Sequence, residues 1–283
     1  MLNYYKITVE ELDKLNAFLE QKNWFDIDVE EHPRLLEKFA NTLSMLNKDE
    51  KELFYLLCSD FMNIHSIRFD SILRKIVRQI PRDVFVDREK IYVVPVVTAQ
   101  DNAKFKSKSG QMIVHMLKSI LDDKDELEGK KIEYLSSPEG LDCHMARDKS
   151  LIIFCDDFIG SSRQFFNCNK AYSKYAKISD SCIIITLSIL KEGYDKLTQN
   201  GLPVFCEKIC YKGISENSNI CHVDSAKALM ENVETRINVP QKYCFGFKKS
   251  EALIAINQRA PNNTFPIFWW PRKHKTDVLF PRS

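Results

Sequence analysis

The sequence predicts an α/β protein, a mainly parallel sheet flanked by helices, with an α-helical N-terminal region in front of it. Three observations carry this. Continuous apolar runs at Ile91 to Thr98, Leu151 to Cys155 and Cys182 to Leu190 suit strands buried on both faces of a parallel sheet. Stretches with helical apolar spacing alternate with those runs, as in βαβ units. Residues 1–82 carry helical spacing alone. The expected division is therefore a helical region over 1–82, an α/β domain over 83–271 and a basic tail over 272–283.

Composition agrees with a folded chain. The 283 residues are 44% hydrophobic and 11% aromatic. A net charge of +2 predicts no strong general attraction to nucleic acid or to a membrane. Met1 to Glu10 has no apolar core, so no export signal is expected, and no apolar run approaches the thickness of a bilayer. The nine cysteines are odd in number and none lies in a C-x-x-C pair, which points to reduced thiols and a cytoplasmic protein.

Taken in order, Thr8 and Glu11 form a capping-box pattern ahead of a stripe of Leu12, Leu15, Phe18 and Leu19. His32-Pro33 suits a second helix start, and Asp49 suits the cap of a third. A fourth helix is expected over Phe69 to Ile80, ended by Pro81; its arginines and Lys75 read as a solvated face. After the run Ile91 to Thr98 comes a polar loop ending in Lys108-Ser109-Gly110, then a helix: half of a βαβ unit. Lys130 to Leu135 reads as a strand, and Ser136 to Lys149 as a polar loop. Further strands are expected at Ser181 to Leu190, Val204 to Tyr211 and Ala252 to Ile256. Cys206, Cys210, Cys221 and His222 have zinc-ligand chemistry, but spacing of four on a strand holds the first two too far apart for one metal.

The densest stretch is Ser150 to Gln164. Its apolar run ends in Asp156 and Asp157, followed by the small-residue turn Gly160-Ser161-Ser162 and a helix opened by Arg163-Gln164. Acids at the lip of a sheet, beside a turn whose backbone N–H groups can take an anion, mark a ligand site. A second dense stretch, Ala260-Pro261-Asn262-Asn263-Thr264-Phe265-Pro266, is a polar turn stiffened by two prolines and followed by Ile267 to Trp270.

The acid-tipped stretch resembles the loop of type I phosphoribosyltransferases that binds 5-phosphoribosyl-1-diphosphate (PRPP). Asp156 and Asp157 match its acid pair, and Phe158-Ile159 its apolar pair. Ser161 stands for the first Thr of its Thr-Gly-x-Thr turn, Ser162 for the Gly and Gln164 for the last Thr. The glycine instead sits early, at Gly160. Joined to Ala-Pro-Asn-Asn-Thr-x-Pro-Ile-x-Trp near the C-terminus, that variant loop is similar to the phosphoribosyltransferase-like (PRTase-CE type) family of bacterial conflict systems, found in anti-phage gene neighbourhoods that include some retrons. The similarity spans residues 85–271.

The resemblance implies a type I phosphoribosyltransferase-like sheet and an enzyme that carries out transfer, or N-glycosidic hydrolysis, at the anomeric carbon of a phosphoribosyl donor, PRPP or a nucleotide, with Mg²⁺. It implies that Asp156 and Asp157 hold the ribose hydroxyls and serve the metal, directly or through the substrate. Gly160, Ser161, Ser162, Arg163 and Gln164 would cradle the 5-phosphate. Lys108, Ser109 and Gly110 would take the diphosphate, with Arg147 joining the acids as a catalytic group. Asn262, Asn263 and Thr264 would face the acceptor or shape the pocket. Two other readings stay open: a module that senses a nucleotide or PRPP without turning it over, and a docking protein for a defence-operon partner such as a reverse transcriptase with its DNA. No membrane partner is expected, and oligomerisation is left open.

Overall fold

The fold is that of a computed structural model, which describes residues 7–22, 24, 35–97, 109–137, 149–172, 182–271 and 278–282. In chain order the helices and strands begin with α1 (Val9–Gln21), α2 (Leu35–Leu43), α3 (Lys48–Asp60), β1 (Met62–Ile64) and α4 (Phe69–Gln79). They continue with β2 (Lys90–Pro95), α5 (Ser109–Asp122), β3 (Lys131–Tyr134), β4 (Ser150–Ile159) and α6 (Arg163–Tyr172). The last are β5 (Cys182–Leu190), α7 (Lys191–Gln199), β6 (Val204–Cys210), α8 (Val223–Arg236) and β7 (Ile254–Ile256). Among the described residues, no helix is long and apolar enough to cross a membrane.

The chain divides into two compact units, and not at the boundaries the sequence suggested. One unit is continuous, Ile67–Cys210; the other joins Met1–Ser66 to Tyr211–Ser283. Helix α4, expected in the N-terminal region, belongs to the sheet unit because its buried stripe of Phe69, Ile72, Leu73, Ile76 and Val77 packs with α5, β5 and β6. The C-terminal segment is not a basic tail throughout. Val278, Leu279 and Phe280 are buried, and Phe280 stacks on Phe61 with ring centroids 4.9 Å apart.

The sheet unit holds the expected α/β layers. Its five strands run in the order β3-β2-β4-β5-β6, and every pairing is parallel. Strand β5 is buried along its whole length, as its unbroken apolar run requires. Successive side chains alternate between faces. Tyr92, Val94, Ile152, Phe154 and Ile184 pack with Phe165 of α6 and Leu197 of α7. Helices α4 and α5 pack on the sheet as well: α5 against β2, β3 and β4, α4 against β5 and β6.

Strand order reverses between β2 and β4, so the crevice outside their carboxyl ends is the topological switch point, where open α/β sheets bind ligands. Two features open it. Ladder pairing of β2 with β4 stops at Pro95↔Cys155. Strand β4 does not stop at Cys155, as the acid pair suggested, but continues to Ile159 because β5 still pairs it through Asp156↔Thr186, Phe158↔Ser188 and Ile159↔Ile189. The acids thus project past the end of β2.

The other unit is built on α1, α2, α3 and α8 around an aromatic core. Trp24, Phe39, Phe54, Phe61, Phe268 and Phe280 are all buried in one cluster. The predicted capping box at Thr8 and Glu11 is present in α1. For α3 the cap is Asn47 rather than Asp49, because Asn47 exchanges hydrogen bonds with Glu50. The same Glu50 carboxylate takes a bidentate pair from Arg236 of α8, at 2.9 and 2.6 Å. Strands β1 and β7 pair in parallel from Met62↔Ile254 to Ile64↔Ile256. The expected helix start at His32-Pro33 lies outside the described residues.

Candidate active site

Parallel-sheet geometry delivers Asp156 and Asp157 to the switch point, and helix α5 meets them there. The Ser109 hydroxyl donates to Asp157 Oδ1 at 2.7 Å. Gly110 follows with no side chain, which lets the helix N-terminus close on the strands. A Cβ there would lie 3.0 Å from the Cys155 carbonyl oxygen, 3.3 Å from Pro95 Cβ and 3.5 Å from Asp156 Oδ1. The sequence-predicted loop residues Ser109 and Gly110 are therefore brought to the acid pair. Lys108 and Arg147 lie outside the described residues.

Asp156 is buried, and its Oδ1 accepts the Asp157 backbone N–H at 3.0 Å. Burial pushes the Asp157 carboxyl above its ordinary range, opposed by hydrogen bonds to the Ser109 hydroxyl and with Asp156. A close acid pair in such a place favours partners that bring hydrogen-bond donors or positive charge.

The turn that follows is held from two directions. Ser162 adopts a left-handed backbone, φ 61°, at the position where the resemblance has glycine. It is buried, and its hydroxyl donates to the Gly193 carbonyl of α7 at 2.8 Å. Gln164 Nε2 donates to the Val96 carbonyl, just past β2, at 2.7 Å. Both side chains are thereby committed to the protein's own backbone. Arg163 is exposed at the start of α6. First-turn N–H groups of a helix have no intrahelical partner and carry partial positive charge, so α5 and α6 both begin with anion-binding capacity beside the acids.

The polar turn near the C-terminus belongs to the other compact unit. There Thr264 is fully buried and its hydroxyl donates to the Ile254 carbonyl at 2.7 Å, while Trp269 Nε1 donates to the Thr264 carbonyl at 2.7 Å. Thr264 is a clamp between β7 and the aromatic core, not a group offered to an acceptor. Asn262 and Asn263 remain half-buried, and their backbone carbonyls accept from Phe247 and Ala252 at 2.7 and 3.0 Å.

Sequence reasoning missed Gly193. Its only signal was a lone glycine in a helical stretch, which reserves space for something. As for a metal, the described residues contain no cluster of three or more His, Cys, Asp or Glu. Two adjacent carboxylates fit a hydrated ion that shares its shell with substrate oxygens, the habit of Mg²⁺, rather than a protein-caged ion such as zinc.

A family model described as PRTase-CE matches residues 17–282. No curated protein matches the chain.

Proposed function

The chain belongs to the PRTase-CE family, and on that premise we propose that it acts at the anomeric carbon of a phosphoribosyl donor, PRPP or a nucleotide, as an effector of bacterial antiviral defence. The observation that carries the reading is the acid pair set between two helix N-termini at the switch point, tied to α5 by the 2.7 Å bond from Ser109 to Asp157. Such a site matches a ligand with hydroxyls at its centre and phosphates at its ends.

In this reading Asp156 and Asp157 accept hydrogen bonds from the ribose hydroxyls and stabilise positive charge as it develops on the ring. The backbone from Gly160 to Gln164, with the Ser161 hydroxyl, holds the 5-phosphate. Ser109 and Gly110 admit the diphosphate to the N-terminus of α5, and Lys108 and Arg147 neutralise it as it leaves. Mg²⁺, when bound by the acids through water and substrate oxygens, would supply further charge neutralisation at the diphosphate.

The test is to incubate the protein with labelled PRPP, nucleobases, nucleotides and NAD in the presence of Mg²⁺, and to follow diphosphate and glycosidic products. Turnover is expected from the wild type and lost in Asp157→Asn, with the fold intact by circular dichroism. Undiminished turnover in Asp157→Asn would falsify the assignment. Saturable binding without products would make the protein a sensor instead.

A further inference from the structure

We propose that Gly193 is a positioning residue for the anion-binding turn, setting its shape from outside the site; this rests on the reading that the turn holds a 5-phosphate. Gly193 lies in the first turn of α7. A Cβ at that position would fall 2.1 Å from the Gly160 carbonyl oxygen, 3.0 Å from Ser162 Oγ and 3.3 Å from the Gly160 carbonyl carbon. The nearest of these is backbone, so relief requires the turn itself or the helix to move. Glycine inside a helix otherwise costs about 1 kcal/mol relative to alanine, and here the close approach accounts for its presence.

The contact is reinforced by a bond. Ser162 donates to the carbonyl of Gly193 itself, at 2.8 Å, and this latch keeps a non-glycine residue at φ 61°. From the opposite side Gln164 is tied to Val96 at 2.7 Å. The turn is thus braced between α7 and the segment after β2. Two of its polar side chains, Ser162 and Gln164, are used in bracing, which leaves the backbone N–H groups, Ser161 and the exposed Arg163 to meet an anion. Backbone recognition depends on the turn's shape, and the shape depends on Gly193.

Titration calorimetry on the full chain, with ribose 5-phosphate and with inorganic diphosphate as the comparison ligand, tests this. Displacing binding groups by roughly 1 Å is expected to weaken ribose 5-phosphate by about tenfold to a hundredfold in Gly193→Ala. Diphosphate, which in this scheme meets α5, should stay within about twofold of wild type, less than 0.5 kcal/mol. Ser162→Ala removes only the latch and is expected to weaken ribose 5-phosphate by about tenfold, the worth of one hydrogen bond; it decides the matter should Gly193→Ala fail to fold. Wild-type affinity for ribose 5-phosphate in the folded variants overturns the positioning role and leaves the proposed function standing. A parallel loss of diphosphate affinity also overturns it, since general damage would then explain the loss. A wild-type protein that does not bind ribose 5-phosphate overturns the proposed function, and the positioning role with it.

Discussion

Removing the guanidinium of Arg236 should destabilise the helical unit selectively. Glu50 is all but inaccessible, its side chain 1% exposed, and Arg236 reaches it with two hydrogen bonds while also donating to the Met45 carbonyl at 2.7 Å. In Arg236→Ala the carboxylate keeps its bond from the Asn47 backbone but loses its counter-charge. Breaking a buried pair by deleting one partner costs about 3–5 kcal/mol; the third of Arg236 that remains exposed brings the expectation down to about 2–3 kcal/mol. All three tryptophans, Trp24, Trp269 and Trp270, lie in this unit, so tryptophan fluorescence during urea unfolding reports on it alone. With a slope of about 2 kcal/mol per molar, the middle of the usual range in urea, the midpoint should fall by about 1–1.5 M. Arg236→Lys, which keeps the charge but not the fork, should lie between the two. A midpoint drop under about 0.3 M in Arg236→Ala would mean that the pair adds nothing beyond what water and the cap supply.

The same fluorescence transition should depend on pH through Glu234. Burial pushes its carboxyl up from 4.5 to about 7, opposed by the Phe245 backbone N–H, which both carboxyl oxygens accept at 3.0 Å, and by Cys244; Glu231 and Glu251 add to the rise. A raised carboxyl binds its proton more tightly when folded, so this contribution is full below pH 4.5 and is lost as pH climbs to about 7. The loss should amount to about 3 kcal/mol, and Glu234→Gln should flatten the profile; an unchanged slope between pH 5 and 7 would refute it. Phe280→Ala should lower the stability of this unit by about 3–5 kcal/mol, as expected for emptying a fully buried aromatic site. A loss below about 1 kcal/mol, checked by the same urea titration, would return residues 278–280 to the status of a tail.

Much of the sheet unit could be read from local pattern. The apolar runs of β2, β4 and β5 announce strands covered on both faces, and the acids at the end of one of them announce a site. What pattern could not give was where β4 ends. Asp156 and Asp157 look like terminators, yet the strand runs on to Ile159 because β5 offers a ladder partner that lies far off in sequence. A similar choice arose at α3. Asn47 and Asp49 both have capping chemistry, and the reciprocal bond with Glu50, itself held by Arg236, selects Asn47. Thr264 shows the opposite error. A threonine in a proline-stiffened polar turn invites a ligand role, but here its hydroxyl closes a buried bond to Ile254.

By itself the sequence determined the α/β class, the family likeness and the acid-tipped turn, since each depends on the order of residue types over a short span. Only the tertiary structure decided what surrounds that turn. Ser109 reaches Asp157, Gly110 lets α5 close on the strands, and Gly193 receives the turn against α7. It also decided that α4 joins the sheet while the C-terminal segment Tyr211–Ser283 joins the N-terminal helices. The reason is physical: a buried strand or helix records its own periodicity in its residues, but the partner that fills its hole is chosen by shape and by hydrogen bonds across long separations in the chain.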